Sequence, residues 1–136
     1  MRWLVVALGL MLAPAALGQT PADRAAIEGV IRDQMAAFRR DDGAAAFAFA
    51  APAIQAQFGT PAVFMEMVRT GYMAVYRPRS VEFRDLVTID GQPVQRVLVV
   101  GPDGRAELAH YVMERQGDGA WRIAGCFLTR SEDRTT

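Results

Sequence analysis

The chain carries one histidine, His110, in ELAHYVMERQ, and one cysteine, Cys126, in AWRIAGC. An imidazole within hydrogen-bond reach of a thiol lowers its pKa and makes it a nucleophile, so this pair is the first candidate for chemistry. Whether the two side chains meet depends on the turn between the strands that carry them. A two-residue loop at Asp118-Gly119 sets Gly117 opposite Ala120 and Cys126 opposite Tyr111, with His110 on the other side of the ribbon. A three-residue loop from Gly117 to Gly119 sets Gln116 opposite Ala120 and His110 directly across from Cys126. Charge favours the second register, which opposes Arg122 to Glu114 rather than to Arg115. That register also gathers Tyr111, Met113, Trp121, Ile123 and Phe127 on one face, which reads as the core. His110 and Cys126 then lie on the outer face, beside Leu108, Val112 and Leu128. A free cysteine is most often a small buried apolar residue, so AWRIAGC reads as architecture before it reads as a reactive site.

The second candidate is a cluster of phenols and a guanidinium. Tyr72, Tyr76 and Arg77 follow a helix and could line the mouth of an apolar interior together with Tyr111, where they would orient a small apolar or carboxylate-bearing ligand. The run Arg39-Arg40-Asp41-Asp42 reads as a solvated helix end with local ion pairs, since adjacent carboxylates alone lack a ligand set. There is no HxxxH, no CxxC, no glycine-rich phosphate loop after a strand and no G-x-S-x-G, so the sequence calls for no metal and no cofactor. The Met-rich stretch FMEMV reads as core packing.

These residues need elements to position them. The N-terminal MRWLVVALGLMLAPAALGQT has a positive start at Arg2, an apolar stretch from Leu4 to Leu12 and small residues up to Gly18. It reads as a cleavable signal peptide, residues 1–18, and directs the protein to the periplasm or outside the cell. Residues 19–136 then form a single domain with 14 basic against 15 acidic residues, a net charge of −1. That balance gives no reason to expect nucleic acid or, after cleavage, a membrane as partner. Every cationic residue is Arg. In the first half, Asp23 is expected to cap a helix whose apolar stripe is Ile27, Val30, Ile31, Gln34, Met35 and Phe38. Asp42 caps a second, Ala-rich helix that stops before Pro52, and a helical turn through Ile54 and Phe58 ends at Gly59. Thr60-Pro61 opens a third helix with Phe64, Met67, Val68 and Tyr72 on one stripe.

The second half changes period. SVEFRDLVTI, PVQRVLVV, AELAHYVMERQ and AWRIAGCFLTR are rich in β-branched and aromatic residues, and Asp90-Gly91, Asp103-Gly104 and Asp118-Gly119 separate them as hairpin turns. The fold class is therefore α+β: three N-terminal helices packed on a curved four-stranded antiparallel meander.

This order resembles the nuclear transport factor 2-like superfamily, also called SnoaL-like, and DGAWRI is similar to a recurrent feature there. AAFRRDDGAAAFAFAAP, FGTPAVFMEMVRTGY, RPRSVEF and GAWRIAGC resemble more closely the family catalogued as domain of unknown function 4864. The resemblance implies an exported protein with a cone-shaped fold, without supplying a reaction or a catalytic residue. In that superfamily the outer sheet face often becomes a subunit interface, which implies a homodimer through Val97 and Val99 or through Leu98 and Val100, as parity decides. The expected function is a non-catalytic module that binds a small ligand or dimerises. The alternative is a small cofactor-free enzyme of isomerase, dehydratase or hydrolase type with its site inside the cone.

Overall fold

The computed structural model describes residues 18–131; the expected signal segment therefore lies almost wholly outside the described residues. The chain is α+β. Among the described residues five helices come first: α1 (Pro21–Arg39), α2 (Gly43–Ala48), α3 (Pro52–Phe58), α4 (Pro61–Gly71) and α5 (Met73–Tyr76). Four strands follow, β1 (Ser80–Ile89), β2 (Gln92–Val100), β3 (Ala106–Arg115) and β4 (Trp121–Arg130), as an antiparallel meander in the order β1-β2-β3-β4. Among the described residues no helix is long and apolar enough to cross a membrane.

The helix starts follow local chemistry, with one correction. The cap of α1 is Thr20, not Asp23. Thr20 Oγ1 accepts from the Asp23 N–H at 3.0 Å, and the Asp23 carboxylate accepts from the Thr20 N–H at 3.1 Å, a reciprocal capping box with Pro21 at the first helical position. Asp42 caps α2 and Thr60 caps α4 as the sequence predicts. The helical turn after Pro52 extends into the full helix α3, and α5 is an element that the sequence reading did not separate from the end of α4. Of the three Asp-Gly turns only Asp90-Gly91 has both residues at positive φ, 50° and 80°, the tight hairpin geometry. The β2–β3 loop is longer, and only Gly104 of its Asp-Gly pair is left-handed.

The core lies between the helices and one face of the sheet. Ile27, Ile31, Met35 and Phe38 of α1 meet Val97, Val99, Ala109, Tyr111, Met113 and Ile123. Val97 and Val99 thus belong to the core, and Leu98 and Val100 take the alternate, outer parity.

The β3–β4 register corrects the sequence reading in an instructive way. Near the turn it is the register that charge favours: Gln116 N–H donates to Ala120 O, and Glu114 pairs with Arg122. Between Val112 and Met113, however, β4 carries one extra residue, so that Ile123 faces Met113 but Gly125 faces Val112. This bulge at Ala124 reverses the parity beyond it. Cys126 therefore pairs with Tyr111 and, with Leu128, packs against the core, while Phe127 pairs with His110 on the outer face and is 46% exposed. Phe127 is not a core residue, and Cys126 and Leu128 are not outer-face residues.

Deleting Ala124 removes the extra residue, so that Gly125 follows Ile123 directly opposite Val112 and Cys126 stays opposite Tyr111, facing inward. The deletion is therefore expected to keep a cooperative thermal transition in circular dichroism and a Cys126 that reacts with a thiol reagent only in denaturant. A variant whose Cys126 reacts readily without denaturant would show that Ala124 is not the extra residue that sets the parity.

Candidate functional site

Between the helices and β4 lies a cavity of about 320 Å³. Its floor is buried and comes from α1 (Gln34, Phe38), α4 (Phe64, Val68), α5 (Val75) and β3 (Tyr111). Its rim is more open: Ile54, Gln57 and Phe58 of α3, Met67 and Tyr72 at the end of α4, and Gly125 and Cys126 of β4. The mouth is thus a window framed by α3, the end of α4 and the β4 bulge.

Two ties hold this frame to β4, which is an edge strand and would otherwise present unpaired backbone groups. On one side, the segment joining α2 to α3 bonds to Ile123 as a parallel bridge, Ala51 N–H to Ile123 O at 2.8 Å and Ile123 N–H to Phe49 O at 2.9 Å. On the other side, the Tyr72 hydroxyl donates to Cys126 O at 3.0 Å across 54 residues of sequence. The Gln34 amide, buried in the floor, donates to Ala46 O at 3.1 Å and ties α1 to α2.

The lining carries no carboxylate, imidazole, ammonium or guanidinium. Its three titratable groups stay protonated at neutral pH. Burial pushes the Cys126 thiol up to about 12, partly opposed by Tyr111. Although Cys126 as a residue keeps some accessible surface, its thiol is enclosed by protein, and that enclosure governs its acidity. Burial likewise raises Tyr111 well above the usual phenol range, and burial followed by the nearby thiol raises Tyr72. The Tyr111 hydroxyl lies beside the Cys126 thiol, close enough to alter its acidity, yet short of hydrogen-bond geometry. It is one of two buried side-chain polar atoms, among the described residues, without a hydrogen-bond partner; the other is Trp121 Nε1.

The residues singled out from sequence separate into three places. Tyr72 and Tyr111 line the cavity. Tyr76 and Arg77 do not: the Tyr76 hydroxyl donates to Asp41, and Arg77 donates to Asp41 Oδ2 at 3.0 Å and to Phe38 O at 2.6 Å. Asp41 sits at φ 53°, and this pair of bonds fixes the left-handed residue that turns α1 into α2. The Tyr76 hydrogen bond, then the Arg77 charge, hold its carboxyl below the usual range. His110 and Cys126 are not brought together: they occupy opposite faces of the sheet. His110 stacks on Phe127 with ring centroids 4.4 Å apart and 5° between planes, and its Nε2 is hydrogen-bonded to Thr129 Oγ1 at 2.9 Å. Desolvation, then Arg96, lowers its pKa, with Asp85 opposing.

The α3 part of the rim was missed from sequence, although a signal for it exists. From Gly43 to Met65 no residue carries a charge. In the fold this run becomes α2, α3 and the start of α4, and its exposed positions Ala53, Ala56, Gln57 and Val63 lie on or near the helix that frames the window.

The profile of a family described as Domain of unknown function (DUF4864) matches residues 20–136. No curated protein and no solved structure matches the chain.

With its pKa near 12, Cys126 is about one part in ten thousand thiolate at pH 8, and the thiolate is the reactive form. Iodoacetamide at pH 8 is expected to leave the native protein unmodified by mass and to add one equivalent in denaturant. Because the folded pKa is raised, reactivity should climb as pH approaches 12. Rapid alkylation of native protein at pH 7 would contradict this environment.

Proposed function

The chain belongs to the DUF4864 family, a family defined without an activity, and we propose that it is a non-catalytic module that holds a small, neutral, apolar molecule in the cavity between its helices and β4. The observation that carries this is the lining: a space of about 320 Å³, within the range of ligand pockets, walled by aromatic and aliphatic side chains and by titratable groups that are all uncharged at neutral pH. A carboxylate-bearing ligand is disfavoured, because Arg77 is engaged outside the cavity by Asp41 and Phe38 O, and an anion inside would lack a counter-charge. The rival, a cofactor-free enzyme, would need an acid or base of suitable pKa in the cavity, and the lining supplies neither a carboxylate nor an imidazole. We place the family among the nuclear transport factor 2-like proteins on its order of helices before a four-stranded meander, and the protein in the periplasm or outside the cell on its N-terminal segment.

A second reading has its own observation. The outer sheet face presents Phe127, 46% exposed and stacked on His110, in the strand next to Leu108 and Val112. A flat ring pair on a sheet face that no described element covers supports pairing of two copies through that face.

Native mass spectrometry of protein purified from the periplasm is expected to show an added non-covalent mass that is lost on denaturation. Val68→Phe, which fills the cavity from α4, should remove that mass while the protein still melts cooperatively. A ligand-free wild-type spectrum, or a mass that survives the substitution, would sink the cavity reading. For the second reading, sedimentation should show a dimer that Phe127→Glu converts to a monomer; a wild-type monomer at every concentration would rule it out.

A further inference from the structure

We infer that the cavity selects a neutral aromatic molecule of two fused rings, of the naphthalene or indole class, over a saturated molecule of the same size. This rests on the cavity being a ligand site and adds the chemistry of what it takes. Size is the first ground. A dry apolar cavity of about 150 Å³ holds one benzene ring, and this one, at about 320 Å³, has room for two.

The wall is the second ground. Phe38, Phe58, Phe64, Tyr72 and Tyr111 bring five rings to the lining. Phe64 is their hub: its ring centroid lies 6.3 Å from Phe38 and 5.8 Å from Phe58, at interplanar angles of 33° and 69°. Tilted and edge-on rings at these separations are the geometry in which aromatic quadrupoles attract, a gain beyond area burial that a saturated guest cannot make. Sulfur on the rim adds to this, since a thioether such as Met67 also makes favourable contacts with ring edges. The third ground is charge. With both phenols and the thiol protonated, the wall favours a guest that brings no ionised group.

The test titrates the purified protein with naphthalene, with decahydronaphthalene and with decane, each affinity corrected for the compound's own hexane–water partition. The methyl signals of Val68 and Val75, which lie in the floor, report the location by NMR. Naphthalene is expected to bind roughly 2- to 10-fold more tightly than either saturated compound after correction, and to displace both valine signals by its ring current. Equal or tighter binding of decahydronaphthalene or decane would overturn aromatic selection and leave the apolar site standing. Naphthalene binding that leaves Val68 and Val75 unmoved would place the guest elsewhere and overturn the proposal. Failure of all three compounds to bind would overturn it together with the cavity reading on which it rests.

Discussion

A single extra residue in β4 decides which side chains of that strand face the helices. Side chains in a strand alternate strictly, so one inserted residue exchanges the two faces for everything that follows. With Ala124 in place, the Trp121–Ile123 end of β4 and the Cys126–Leu128 end both turn toward the helices, which an unbroken strand cannot do. The thiol is thereby enclosed against Tyr111, and the imidazole is left outside to stack on Phe127. The same insertion separates the only histidine from the only cysteine and leaves Gly125, which has no side chain, at the window.

A second bulge shows that the sheet uses this device more than once. Between Phe83 and Leu86, β1 also carries an extra residue, and the buried Gln95 side chain donates to Arg84 O at 2.8 Å there. On the far edge the Arg96–Asp85 pair, with contacts at 3.1 and 2.6 Å, closes over the irregularity. Both edges of the sheet are thus managed: β1 by a bulge and charge, β4 by a bulge and ties to the helices. The cavity exists because those ties hold β4 at Ile123 and Cys126 and leave the backbone between them unbridged.

The sequence signals that succeeded were short-range ones. Asp42 and Thr60-Pro61 mark helix starts because a cap needs only the next three residues, and Asp90-Gly91 marks a turn because two positive φ angles suffice. The Glu114–Arg122 pairing was legible from charge, since it lies on the turn side of the bulge. What was not legible depends on residues far apart. Ala124 is an ordinary alanine in an ordinary strand, and nothing in its type announces an insertion. Tyr76 and Arg77 looked like pocket residues until the fold brought Asp41 to them across 35 and 36 positions. Thr20 rather than Asp23 caps α1 because a capping box contains two candidate residues three apart, and only geometry shows which one is the cap.

The uncharged run that frames the window has a consequence for kinetics. Charged binding sites draw in their partners through a long-range field, and that advantage fades as ions screen it over a few ångströms to tens of ångströms. The α3 side of this mouth has no charge to project. On the proposed reading, entry of a neutral guest past α3 would be left to diffusion, with no field there for salt to screen. The proposed uptake would then keep the same rate in dilute and in concentrated salt.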